Sequence, residues 1–332
     1  MKLPRLKRMM FIAWLPAVGL AVFLCVWGLI ERKADLVAPL LPALRFLGEE
    51  ALADPRQVRI EIWTIAYTYF MNVELWISMV LILLVGPNLI SQDLRFNALP
   101  LYFSRPLRRI DYFLGKLGVI GSLLGMAIVA PAVIAYILGM LFSLDITILR
   151  DTFPVLLGTI AYGLLIVVSA GTLILALSSL SRNSRYISLL WAAIWFVTGV
   201  MSTILVGVEQ REQRNRAAAM SFGYQFQGTN REELQRTLDH LDEQMVEQQK
   251  SDWRPMVSYT ENLRRVGRQL LGTEATWETI RQLQPPERRT LFRMQFMNPE
   301  YPWYWSAGVL AVLFGLSACI LNFRVRSLDR LK

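Results

Sequence analysis

Six stretches of about 20 or more apolar residues decide most of what this chain can fold into. They run from about Met10 to Ile30, Tyr67 to Ile90, Leu117 to Phe142, Pro154 to Leu180, Ile187 to Val208 and Trp303 to Phe323. At about 1.5 Å per residue, each is long enough to cross a hydrocarbon core of roughly 30 Å. Lipid offers the backbone no hydrogen-bond partner, so a spanning segment must satisfy its own N–H and C=O groups, and does so as a helix. The expectation is an all-α integral membrane protein with six transmembrane helices. Charged residues make up 18% of the 332, against about 25% in a soluble domain. The first run follows a basic start, Lys2, Arg5, Lys7 and Arg8. Its length and the lack of a small-residue cleavage site before Glu31 make it a retained span rather than a signal peptide.

The formal net charge is +9, and its placement matters more than its size. The excess of Lys and Arg lies in the N-terminal tail, the loop 91–116, the turn holding Arg182 and Arg185, and the tail holding Arg324, Arg326, Arg330 and Lys332. The alternate segments are neutral or slightly acidic; residues 209–302 hold 14 basic and 14 acidic side chains. The positive-inside rule then places both termini in the cytoplasm of a bacterial inner membrane. This charge is a topology signal, not a nucleic-acid surface. Cys25 and Cys319 both fall in apolar runs and His240 is the only histidine, which leaves no disulfide framework and no Cys- or His-based metal centre. Trp27, Trp63, Tyr301, Trp303, Tyr304 and Trp305 are read as anchors at the outer interface.

Three parts follow. Residues 1–208 carry helices one to five, with the cytoplasmic loop 91–116. Residues 209–302 form a helical extracytoplasmic insertion, and residues 303–332 carry helix six and a cytoplasmic tail. Within the insertion, Leu234, Leu238, Leu241 and Met245 recur at helical spacing behind Asn230 as N-cap. A second helix is predicted through Val257 to Leu271, stopping at Gly272. Shorter helices are predicted over 276–283 and 286–297, with Pro285 and Pro286 between them. The insertion is a spacer, a lid or a dock for an extracytoplasmic protein. Between helices one and two, Leu36, Val37, Leu40, Leu41, Leu44 and Leu47 form a short amphipathic stretch broken by Pro39 and Pro42.

The loop 91–116 reads SQDLRFNALPLYFSRPLRRIDYFLGK. It resembles the cytoplasmic loop of type-2 permeases of ABC transporters, the membrane subunits of ATP-driven exporters. That family pattern has an acidic residue, then Gly-Thr-Leu, a Pro, an Arg three further on, and a Lys that opens the next span. Asp93, Leu99, Pro106, Arg109 and Lys116 match it. Asn97-Ala98 stands in place of Gly-Thr; Asn tolerates the left-handed backbone that ends a helix, so Asn97 keeps the glycine's role. The exit of the fourth span, Leu175 to Arg182, also resembles the family. The resemblance implies a short coupling helix seated in a cleft of a separate ATPase subunit. Asp93 and Arg95 then make polar contacts, and Leu94, Leu99, Leu101 and Phe103 serve as apolar knobs. Arg105, Arg108 and Arg109 have a second reading as anchors to anionic lipid. The chain has no G-x-x-x-x-G-K-[ST] phosphate loop. It is therefore expected to be no enzyme and to bind no cofactor itself, with ATP and Mg on the partner subunit. The resemblance also implies pairing with a second permease copy.

Glu74 is the one carboxylate within an apolar run, and Asn72 and Asn88 share its helix. An intramembrane carboxylate marks a gate or substrate path by default. Glu74 stands about two turns from the outer end of its run, where it has a second reading as an interfacial group. Gly86-Pro87 and Pro131 predict kinks. Gly163, Ser169, Gly171 and Thr172 predict close helix packing. The rival readings are a secondary transporter or channel, and a membrane-anchored scaffold acting through 209–302.

Overall fold

A computed structural model describes residues 3–32, 56–98, 109–143, 147–208, 250–285 and 301–329, with 247, 289, 292, 293 and 297 besides. Every regular element among them is helical. Span one is α1 (Leu3–Arg32). Span two is α2 (Arg59–Val85), followed after a two-residue turn by the short α3 (Asn88–Arg95). Span three joins α4 (Arg109–Leu124) to α5 (Ala130–Ser143) through a π-helical turn, Gly125–Val129. Span four is α6 (Thr147–Leu180). Span five begins as α7 (Ser184–Ala192), widens into a second π turn, Ala193–Val197, and runs on to Val208. A 3-10 turn at Arg254–Val257 leads into α8 (Tyr259–Leu271) and α9 (Thr273–Gln282). Span six is α10 (Trp303–Asp329). Six of these helical stretches are long and apolar enough to cross a membrane.

Several helices overshoot their apolar runs because polar residues at their ends find partners on other elements. The clearest case joins the first four spans at one end of the bundle. Arg59 donates from Nη2 to Glu31 Oε2 at 2.8 Å and from Nε to both carboxylate oxygens at 3.1 Å. Trp27 Nε1 donates to Glu31 Oε1 at 2.8 Å, and Ser143 Oγ donates to Oε2 at 3.1 Å. Arg59 Nη1 reaches Thr147 Oγ1 at 3.2 Å and lies 3.5 Å from Asp151. The two ionic side chains are only 3% and 2% exposed. One bidentate pair thus ties α1, α2, α5 and α6 together at what is called here the Glu31 end.

This latch corrects two expectations. Trp27 and Trp63 are buried inside the bundle rather than placed at a lipid interface. Trp27 serves Glu31, and Trp63 packs on Tyr67, Tyr136 and Gly139. Trp303 and Tyr304 are exposed, as anchors would be. Glu74 also moves: α2 starts at Arg59, eight residues before Tyr67, so Glu74 lies about four turns inside the helix rather than two.

The two spans with π turns show how the kinks are satisfied. In span three, Ala130 N–H bonds Gly125 O, the i to i+5 register of a π turn. In that register the next donor, for Met126 O, would be residue 131, a proline with no N–H. Trp14 of α1 supplies it instead, through Nε1 at 3.2 Å. Tyr67 of α2 donates its hydroxyl to Ala132 O at 3.0 Å, just beyond Pro131. In span five the hydroxyl of Thr198 donates to Ile194 O across the π turn. Gly86-Pro87 interrupts span two for two residues, both still in the right-handed helical region, and the span resumes as α3. The packing expected of the small residues in α6 is present: an added Cβ would meet Val129 at 3.1 Å from Gly163 and Leu117 at 2.6 Å from Gly171.

The described part of the insertion packs against the spans. The predicted helix over 257–271 is α8. Ser258 caps it by accepting from Glu261 N–H, and Gly272 closes it at φ 71°. α8 runs antiparallel to α6 and close against it. Tyr259 OH lies 3.0 Å from Ser169 Oγ, near one end of the contact. A Cβ at Gly267 would fall 2.2 Å from the Tyr162 ring, and one at Gly158 would fall 2.4 Å from Leu270 O. α9 continues onto α2, where Thr68 and Thr273 hydroxyls are 2.8 Å apart. Gly158→Leu is therefore expected to lift α8 off α6, at a cost of about 1–3 kcal/mol or more. The check is disulfide yield in a Thr68→Cys/Thr273→Cys variant, which should fall sharply when Gly158→Leu is added. The stripe through Leu234, its cap Asn230, the helix predicted over 286–297 and the amphipathic stretch from Leu36 to Leu47 lie wholly or mostly outside the described residues.

Candidate functional site

At the opposite end of the bundle, α3 is stitched to three spans. Its start is held by Ser178 of α6, whose Oγ accepts from Ile90 N–H at 3.1 Å and Ser91 N–H at 3.0 Å. The same hydroxyl donates to Pro87 O at 3.0 Å. These contacts satisfy backbone groups of the first turn that no helix can pair internally. Gly86 allows the approach, since a Cβ there would sit 2.5 Å from Ile174. The serine in the family-like exit of span four thus has a structural task.

The end of α3 is fixed by Asn97 and Asp93. Asn97 has φ 49°, alone among the described non-glycine residues in being positive. Phe96 N–H bonds Gln92 O and Ala98 N–H bonds Asp93 O, both at 2.9 Å. The second of these is the six-to-one bond of a Schellman stop. Asn97 therefore does keep the backbone role of the glycine. Asn97→Val is expected to cost about 1–2 kcal/mol from the left-handed strain, with Asn97→Gly tolerated; thermal midpoints in detergent check it.

Asp93 meets Lys116. Lys116 Nζ lies 2.7 Å from Asp93 Oδ2, and Tyr112 donates its hydroxyl to the same oxygen at 2.7 Å. The ammonium also lies 5.4 Å from the Tyr112 ring centre, a cation–π distance. Asp93 stands in the last turn of α3, where the helix dipole disfavours a negative charge, so the ammonium offsets a local penalty. The acidic residue and the lysine of the family-like pattern, distant in sequence, hold spans two and three in one geometry. Arg324 of α10 completes this end, donating to Ser179 O at 3.3 Å and Leu180 O at 3.4 Å, the last carbonyls of α6.

The other expected contact residues divide. Leu94 is partly buried against the bundle core, which leaves less of it for a partner. Arg95 is exposed and lies over Phe96, 5.8 Å from the ring centre. Phe96, unassigned by the sequence pattern, is 73% exposed and is the apolar group that α3 presents. Leu99, Leu101, Phe103, Pro106, Arg105 and Arg108 lie outside the described residues, as does the side chain of Arg109. Tyr112, Ser178 and Arg324 were not legible as site residues; the serine-rich exit of span four was the available signal.

Within the membrane, Glu74 is fully buried, and neither carboxylate oxygen has a hydrogen-bond partner among the described residues. Asn72 is two residues away, about 200° around the helix, so it faces away from Glu74. Asn88 is in α3, where it accepts from Gln92 at 3.4 Å. The three do not form one site. Among the described residues no group of three or more His, Cys, Asp or Glu side chains is placed to hold a metal.

Six helices long and apolar enough to cross a membrane define the class as a multi-pass membrane protein. The family model described as ABC-2 family transporter protein matches residues 49–321. The chain belongs to that family and is a transport membrane subunit. No curated protein and no solved structure matches it.

Proposed function

We propose that this chain is the permease half of an ATP-driven exporter, working as a pair of copies in a bacterial cytoplasmic membrane. The Asp93 end is cytoplasmic, as the distribution of Lys and Arg requires, and the 209–302 segment enters from the outer side, with α8 reaching into the bundle against α6. α3, with the segment that follows it, seats in a cytoplasmic ATPase subunit that holds ATP and Mg. Closure of the ATPase on nucleotide pushes this element, and spans two, three and four receive the push. The observation carrying this reading is the triple tether of α3. Ser178 holds its start, Asn97 sets its stop, and the Asp93–Lys116 pair binds it to span three. A short helix so fixed transmits displacement instead of absorbing it. The translocation path lies between the two copies, with spans two and five contributing.

The test is co-purification of the tagged chain. The expected result is an ATPase subunit bound to the native protein and lost, together with transport, in an Asp93→Lys/Leu99→Glu variant. A native protein that brings down no ATPase, with full activity in the variant, favours a secondary transporter or a scaffold instead. Orientation has its own check. A Ser251→Cys variant should react with an impermeant thiol reagent in intact cells; labelling only in broken cells reverses the topology.

A further inference from the structure

α8 carries ionic side chains to a depth where lipid-facing charge is not tolerated. The chain has no charged residue between Asp151 in α6 and Arg182, just beyond its end. A hydrocarbon core of roughly 30 Å takes about the 20 residues centred near Val167. Tyr162 and Ser169 both lie well inside that window, and they contact Gly267 and Tyr259 of α8. Glu261 and Arg264 fall between those two contacts, and Arg268 is one residue beyond Gly267. All three therefore stand within or at the edge of the apolar layer.

Their geometry excludes the usual escape. An arginine facing lipid snorkels toward the nearer interface. Here the helix runs from mid-depth at Tyr259 toward the Glu31 end at Leu270. Arg264 reaches back to Glu261 at 2.6 Å, and Arg268 reaches back two turns to the same carboxylate at 2.8 Å. Both guanidinium groups point deeper, not outward. The neighbouring Arg265 is different. It is 3% exposed, donates to Tyr301 O at 2.7 Å and lies 2.6 Å from Glu274; it is sealed into the fold. Glu261, Arg264 and Arg268 are instead 22%, 22% and 19% exposed. Charges that are partly open at hydrocarbon depth face water or the bundle interior.

We propose that Glu261, Arg264 and Arg268 line a water-filled cleft that runs from the Glu31 end to the middle of the bundle and admits small hydrophilic ions. In a transporter such a cleft is a section of the path, lined for a charged or hydrogen-bonding portion of the cargo rather than for hydrocarbon. Its outward opening rests on the orientation proposed above. The experiment uses full-length protein in membrane vesicles of known sidedness, with both native cysteines replaced by Ala. The probe is an impermeant anionic methanethiosulfonate. The Arg264→Cys variant is compared with Leu164→Cys, which lies at similar depth on span four and is 57% exposed on an apolar surface. The thiolate is the reacting form and needs water, so Arg264→Cys is expected to react from the outer side at least ~100-fold faster than Leu164→Cys. Gln269→Cys, at an exposed position on the same helix, guards against a folding defect and should react as well. Equal, slow reaction at 264 and 164 in a protein where 269 reacts overturns the cleft. Reaction at 264 from the cytoplasmic side alone overturns its outward opening and, with it, the orientation, while ATPase co-purification tests the docking reading separately.

Discussion

Arg59→Ala is expected to be the most destabilising single change among the described residues. It removes three hydrogen bonds to Glu31 and leaves that carboxylate, itself 2% exposed, with the neutral donors Trp27 and Ser143 among the described residues. Breaking one partner of a buried ion pair costs about 3–5 kcal/mol, because a charge is left without compensation. The thermal midpoint in detergent should fall by on the order of 10 °C. Glu31→Ala should do similar damage, since a buried Arg59 would lose its bidentate carboxylate and Thr147 and a half-exposed Asp151 do not replace it. The double variant Glu31→Gln/Arg59→Gln should recover much of the loss. It removes both charges and still offers Trp27 and Ser143 an acceptor. Losses that simply add in the double variant would show that the two side chains act independently, against the geometry. Because the latch joins α1, α2, α5 and α6, its loss should loosen the Glu31 end as a unit. Cysteine crosslinks across those helices should then fade together.

How much of this was legible beforehand follows from where each interaction lives. The spans could be read because lipid imposes a local rule on every 20-residue window. Their ends could not, because Glu31 and Arg59 are 28 residues apart and each, taken alone, looks like an interfacial charge. Asn97 was readable as a helix stop because the left-handed conformation is a local property of one residue. Asp93 and Lys116 were readable as members of a pattern, but their contact depends on how span three returns to α3. The partial burial of Leu94 and the exposure of Phe96 were not readable for the same reason: the sequence does not say which face of an eight-residue helix meets its own bundle. α8 was found within two residues at its start and at the right residue at its end. Its charges made it look water-borne; Gly158 and Gly267, where backbone and ring come into contact, were the only local clues to its packing against α6.

The second large effect is expected at Asp93 and Lys116, and there the loss is of coupling as well as stability. Asp93→Ala removes the carboxylate 2.7 Å from the Lys116 ammonium, which is 18% exposed, together with the oxygen that accepts from the Tyr112 hydroxyl. A partly buried pair of this kind carries a coupling energy of about 1–3 kcal/mol in a double-mutant cycle, less than the latch at the other end. The functional loss should nonetheless be greater. The latch holds one end of the bundle together, whereas this pair sits between α3 and span three, where the proposed push must pass. ATP-driven transport in vesicles holding the partner ATPase is expected to fall at least tenfold in Asp93→Ala and in Lys116→Ala, that is by at least about 1.4 kcal/mol of coupling. Tyr112→Phe removes one hydrogen bond and keeps the ion pair, so its effect should be small, about 1 kcal/mol in stability. The exchange Asp93→Lys/Lys116→Asp separates the two contributions. It restores opposite charges at the same distance but places a cation beside the Tyr112 hydroxyl and a carboxylate near its ring. Partial recovery of transport is the expected result. Full recovery would mean that the sign of the charge presented by α3 is irrelevant to the ATPase, so that Asp93 acts only by holding span three. No recovery, with thermal stability restored, would place Asp93 in direct contact with the partner. Both departures can be read only against that stability measurement, since the same oxygen of Asp93 binds Lys116 and Tyr112 and any change there alters fold and dock together.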